Sequence, residues 1–432
     1  MPAHLSFDQA PPIGVPFRFF LTAPWFGVAA GILLLWQGGD LLASRWTPGA
    51  LAFTHLLVLG FMLQAMTGAL FQFVPVAAGG NLWRAKTVAG IVHPAFAAGA
   101  MLLCVGFVFP RARCLGAAAV LMTSAAILFL VTFGRALTTT PAVGATVAGL
   151  RGAALALAVT VGLGALLVSG LVTGRAWPLI EVAHVHAAWG LGGWALLLLA
   201  AIAVIVVPMF QITPPFPLRA AKAFPWLVIG CLLLWTGRLS GVAEGAASAG
   251  LFALLALAAT FCATTLRLQA KRRRKVNDPN VLMMRSAMGT GIAGVALCAW
   301  LGAGLPGSDS SRLHVAAGVL LVAPFVFAIN GMLYKIVPFL SWLHLNRQGG
   351  PRALPPNMNR MIPATAIDRQ TGTQLGAFAL LLSACLWPGL TRPAGLTLIV
   401  SFGWLAWNLV GAVSTYQSFT RKFPAAASDS KS

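Results

Sequence analysis

Three histidines stand at the head of three similar apolar runs. They open "HLLVLGFMLQAMTGALFQFVP" (His55 to Pro75), "HAAWGLGGWALLLLAAIAVIVVP" (His186 to Pro208) and "HVAAGVLLVAPFVFAINGMLYKIVP" (His314 to Pro338). Neutral imidazole is the commonest protein metal ligand, and an ionisable side chain inside a run this apolar is costly enough to mark a candidate functional site. A glycine follows each histidine by four or five residues, at Gly60, Gly190 and Gly318, where a flat ring or a neighbouring helix can approach the backbone. His184 lies two residues before His186, about 200° around a regular helix, so only one of that pair can point inward. Three imidazoles at similar depth suit a haem slotted between helices, or copper or zinc with an open position. The plainer role for any single one is a hydrogen bond between helices.

The spacing of the motif reveals the frame that must position it. Successive histidines are 131 and 128 residues apart and successive prolines 133 and 130. With 59% apolar and 9% charged residues in 432, the chain has too little polar surface to wrap a soluble globule. Twelve apolar runs, each long enough to cross roughly 30 Å of hydrocarbon, succeed one another between residues 17 and 418, the tenth near 312–340 and the eleventh near 374–391. A period of about 130 residues in twelve spans is four helices per unit, which makes the histidine helices spans 2, 6 and 10. The expected fold is an all-α polytopic membrane protein, about twelve transmembrane helices in three pseudo-equivalent units near 17–134, 152–266 and 284–418. A single transmembrane domain, 17–420, would lie between cytoplasmic tails at 1–16 and 421–432. Two halves of six, as in major-facilitator transporters, would not produce this period.

The net charge of +21 points to topology rather than to nucleic acid, because the cations sit in the short loops between spans. With the N-terminus cytoplasmic, 22 of the 29 basic residues face inward, as expected for both termini inside a bacterial-type inner membrane. The histidines then fall toward the outer face. The first span, with its polar lead and no small-residue cleavage site after it, reads as a retained helix. The "KRRRK" run Lys271 to Lys275 is sufficiently explained as a topology signal, and "AAASDSKS" reads as a disordered tail. Six isolated cysteines, with no CxxC pair, read as small packing residues. Tryptophans near span ends read as interface anchors, and His4, His93 and His344 as structural.

Twelve helices in three units of four, with histidines near the outer ends of helices 2, 6 and 10, resemble subunit I of the haem–copper oxidases and the NnrS-type membrane haem proteins. The resemblance spans essentially the whole chain, in architecture more than in sequence. It implies that His55 and His314 are the axial ligands of a low-spin haem b, and that His186 or His184 binds copper. It further implies that Arg392 in "LTRPAG" pairs with a haem propionate, with Arg238 a second cation on the same side.

The departures from that family narrow the chemistry. Span 7, "AFPWLVIGCLLLWTGRLSG", has no histidine pair to complete a copper site, and the interiors of the spans carry no acid for a carboxylate proton relay. Dioxygen reduction is not expected, and no complete catalytic site is recognisable. Three functions remain. The first is haem-based electron transfer or response to nitric oxide or another small gas, with a redox partner protein. The second is a transporter or assembly factor for copper, haem or a small solute, with His55, His186 and His314 as a transient metal site. The third is a scaffold whose histidines are interhelical glue.

Overall fold

The computed structural model describes residues 9–140, 142–241, 244–274, 276–348 and 356–422. Expectations placed on His4, Lys275 and the tail beyond 422 lie outside these residues. Twelve long helices carry the fold, and the described residues form no strand. They are α1 (Gly14–Leu42), α2 (Pro48–Ala78), α3 (Ala85–Val108), α4 (Ala112–Thr139), α5 (Ala145–Thr173) and α6 (Leu179–Gln211). The chain continues with α7 (Leu218–Ser240), α8 (Glu244–Ala270), α9 (Pro279–Gly302), α10 (Ser311–Asn346), α11 (Ala364–Leu386) and α12 (Pro388–Lys422). All but α11 are long and apolar enough to cross a membrane, so the chain is a multi-pass integral membrane protein.

Three helices are central and nine surround them. Along their apolar stretches α2, α6 and α10 are 72%, 61% and 72% buried, against 22–56% for the other membrane-length helices. The outer helices pack in the closed order α1, α3, α4, α5, α7, α8, α9, α11, α12 and back to α1. Each four-helix unit thus contributes one inner helix and three outer ones, the architecture expected from the repeat. α10 touches the histidine-bearing halves of both α2 and α6.

Local sequence explains the ends and the seams. Thr47 caps α2 by accepting a bond from the Ala50 amide at 3.0 Å, and Pro48 fills the first turn, where its missing N–H costs nothing. Where α1 closes the ring on α12, Gly31 and Gly395 let the backbones touch. A Cβ on Gly395 would lie 2.6 Å from the Leu35 nitrogen and 2.8 Å from the Gly31 carbonyl oxygen.

Two boundaries differ from expectation. The eleventh helix begins at Ala364 rather than near 374, because Gln370, Thr371 and Gln374 are buried against neighbours instead of lying in a loop. α10 runs past 340 to take in His344, whose Nδ1 lies 2.7 Å from the Tyr416 hydroxyl of α12. His344 is therefore a helix contact, not a loop residue. Lys335 of α10 pairs with Asp278, just before α9, at 2.9 Å, which anchors its ammonium.

Candidate metal centre

The N-terminal α-helical segments of α2 and α6, Pro48–His55 and Leu179–Ala187, bring His55 and His186 together. Their ring centroids are 6.5 Å apart with planes 22° from parallel, and Phe107 of α3 packs against the His55 ring at 5.5 Å. His55 Nδ1 lies 2.7 Å from the Leu51 carbonyl one turn back, and His186 Nδ1 lies 3.0 Å from the Thr160 carbonyl of α5. A carbonyl only accepts, so each Nδ1 carries the proton and donates it, which leaves the Nε2 lone pair available. Among the described residues neither Nε2 has a hydrogen-bond partner. Pinning one ring nitrogen to a carbonyl while the other stays free is how metal-binding histidines are held in tautomer and orientation. Two Nε2 atoms binding one metal from opposite sides at about 2.0 Å each would put the centroids about 6 Å apart, close to the spacing found.

Both histidines stand at a change of helical winding. Immediately after His55, residues Leu56–Leu63 are wound as a π-helix, and Ala188–Ala195 are wound the same way two residues after His186. π turns interrupt α-helices frequently at functional sites, where the extra residue rotates the rest of the helix onto a new face, and a third such segment, Val74–Ala78, ends α2 away from any histidine. The two segments are equal in length and equivalent in the repeat. α10 is α-helical throughout this region.

The glycines after the three histidines do three different things. The Phe26 ring of α1 occupies the space where a Gly60 Cβ would be. At Gly190 an added Cβ would touch Thr160 Cγ2 at 3.4 Å, and at Gly318 it would meet nothing within 4 Å. Close to the metal candidates, Gly164 of α5 faces the His186 ring, where an added Cβ would lie 3.2 Å from Cε1.

The other candidates are arranged around this pair. His314 Nδ1 donates to the Ser310 carbonyl at 3.0 Å, the same tautomer again, but the ring is not packed on His55 or His186. It lies within electrostatic reach of His184 instead. His184 Nε2 accepts a hydrogen bond of 2.9 Å from Arg45, in the loop between α1 and α2, so its lone pair is engaged. Loss of hydration beside its neighbours lowers the Arg45 pKa from the ordinary arginine value. Arg238 stacks on Trp235 at 4.7 Å and lies within electrostatic reach of His184. Arg392 sits over the end of α1, its Nε 3.6 Å from where a Gly38 Cβ would be. Among the described residues no three His, Cys, Asp or Glu side chains gather as a metal-holding group.

Two features of the site escape sequence reasoning. One is Arg45, whose only signal is a cation beside Trp46 on the face with few cations. The other is the pair of π segments, for which apolar periodicity carries no signal. Away from the centre, His93 Nε2 and Thr22 Oγ1 share a hydrogen bond of 2.9 Å, and the His93 ring meets Phe19 edge-on. All six cysteines are free.

No protein-family model matches the chain, and no curated protein matches it.

Proposed function

We propose that this protein is a haem–copper-oxidase-like, NnrS-like membrane metalloprotein that binds haem b at the histidine end and serves electron transfer or the response to nitric oxide or a similar small gas. The observation that carries the reading is the facing pair His55 and His186, each with Nδ1 tied to a carbonyl and Nε2 free. Neutral imidazoles of fixed tautomer are the donor set a haem iron takes. In this reading His55 and His186 are the ligand pair. His314, the partner of His55 that the family resemblance implies, stands apart with its own Nε2 free. When bound, the iron would supply one-electron chemistry, and a small gas would bind it only in place of one of the two imidazoles. The chain's part is to hold the rings, keep water from them and present Arg45, Arg238 and Arg392 at the same end for anionic groups. The proposed setting is a bacterial-type inner membrane, with the histidine end outside and both termini in the cytoplasm.

Copper is the second reading, favoured by a specific observation. Phe26 fills the space at Gly60 and Phe107 packs on His55, so volume beside the pair is already occupied, whereas one cuprous ion between two imidazoles needs no macrocycle. In that case the protein handles copper as a transporter or assembly factor.

An oxidised and a dithionite-reduced absorption spectrum of the purified protein, with metal analysis on the same sample, tests both readings. The haem reading expects a Soret band with sharpened reduced bands. A colourless protein with stoichiometric copper would replace it by the second, and a colourless, metal-free protein would reject both.

A further inference from the structure

The polar residues buried between α10, α11 and α12 form a connected cluster far from the histidines. Asn330 Nδ2 donates to Gln374 Oε1 at 3.0 Å, and Ser401 Oγ donates to the same oxygen at 2.6 Å. Gln370 Nε2 donates to the Ser401 carbonyl at 3.2 Å and lies 3.3 Å from its Oγ. Asn330, Gln370 and Ser401 are 0% exposed and Thr371 and Gln374 are 2% exposed. Within this cluster Asn330 Oδ1, Gln370 Oε1 and Thr371 Oγ1 are buried with no partner.

What is missing has a definite chemical sign. The amide nitrogens of Asn330 and Gln370 each have a partner inside the cluster, and the buried atoms without one are oxygens. Many threonines elsewhere in the bundle turn the hydroxyl back to the carbonyl four residues earlier, as Thr132, Thr160, Thr236 and Thr265 do. Thr371 does not, and like Thr67 and Thr391 its hydroxyl is buried and unpaired. A group that satisfies several buried oxygens at once is a hard cation. The charge must be single, since Asp368, the nearest acid in sequence, is outside the buried cluster and no carboxylate belongs to it. The cluster also explains how α11, the one long helix short of membrane-spanning hydropathy, is held in the bundle.

We propose that Asn330, Gln370, Thr371, Gln374 and Ser401 form a binding site for a monovalent alkali cation, for which Na+ is the probe, tying α11 to α10 and α12. The inference is independent of the metal centre, whose histidines His55 and His186 lie on α2 and α6. It is tested by thermal unfolding of the purified full-length protein at constant ionic strength, with NaCl exchanged for choline chloride. Na+ is expected to raise the Tm saturably, by about 3 °C at a hundredfold excess over its Kd. Thr371→Val, which keeps the volume and removes one unpaired oxygen, is expected to weaken that Na+ dependence about tenfold, and Gln374→Leu to abolish it. Should Gln374→Leu not fold, Thr371→Val decides alone. Equal Tm values in Na+ and choline, or a Na+ dependence unchanged in Thr371→Val, would overturn the proposal and assign these oxygens to buried waters only.

Discussion

His55 of α2 and His186 of α6 face each other with ring centroids 6.5 Å apart, at equivalent positions of a repeat whose members are 131 residues distant in sequence. Each donates Nδ1–H to a carbonyl, and each precedes an eight-residue π-helical segment. The chain thus uses one device twice, at two inner helices, to hold two imidazoles side by side with Nδ1 engaged and Nε2 free.

The ring of His186 is held from behind by α5. Gly164 lies close enough that a larger side chain must push the ring, since even a Cβ would sit 3.2 Å from Cε1. Gly164→Val is expected to shift the metal-centre spectrum and lower metal occupancy, with the helical circular dichroism unchanged. Metal content per protein in matched preparations is the measurement.

His184 and His186 are expected to behave differently. His184 Nε2 is occupied by Arg45, so His184→Ala removes a hydrogen bond at the membrane face and costs about 1 kcal/mol without loss of the bound metal. Arg45→Gln should reproduce that small effect. Both are read by metal analysis beside thermal unfolding. Loss of metal in His184→Ala would transfer the ligand role from His186.

Much of this frame is legible in the sequence, and the limit lies in rotation about helix axes. The His and Val-Pro markers locate α2, α6 and α10 and their common direction, because hydropathy and spacing depend only on position along the chain. Which inner histidine meets His55 depends on how each helix is turned. The π segments change that turn by an extra residue, and hydropathy does not register them. Hence His186 rather than His314 is opposite His55. The early start of α11 is hidden for a different reason: buried Gln370, Thr371 and Gln374 read as loop when polarity is taken to mean exposure.

At the opposite end of α6 a chain of amides stitches three helices. Gln269 of α8 donates to Gln211 at 2.8 Å, and Gln211 donates to Asn280 of α9 at 2.9 Å, all three buried. Gln211→Leu strands the Gln269 amide and the Asn280 carbonyl together, and is expected to cost about 2–4 kcal/mol. Replacing Gln211, Gln269 and Asn280 at once by apolar residues should cost less than that single change, as unfolding midpoints would register.

The α1–α12 seam closes the outer ring, and it depends on the absence of side chains. Gly395→Leu would drive atoms into the Leu35 nitrogen and the Gly31 carbonyl. Separation of the two helices should destabilise the protein by about 3 kcal/mol or more. Gly411→Leu, on the same helix with open space around it, is the control and should be near neutral.

The central claim is that His55 and His186 together hold the metal. Its most direct test is the reduced-minus-oxidised absorption spectrum and metal content of wild type, His55→Ala, His186→Ala and His314→Ala, purified in parallel. The metal signal is expected to be lost in the first two variants and kept in the third. A signal that survives His186→Ala and disappears in His314→Ala would contradict it.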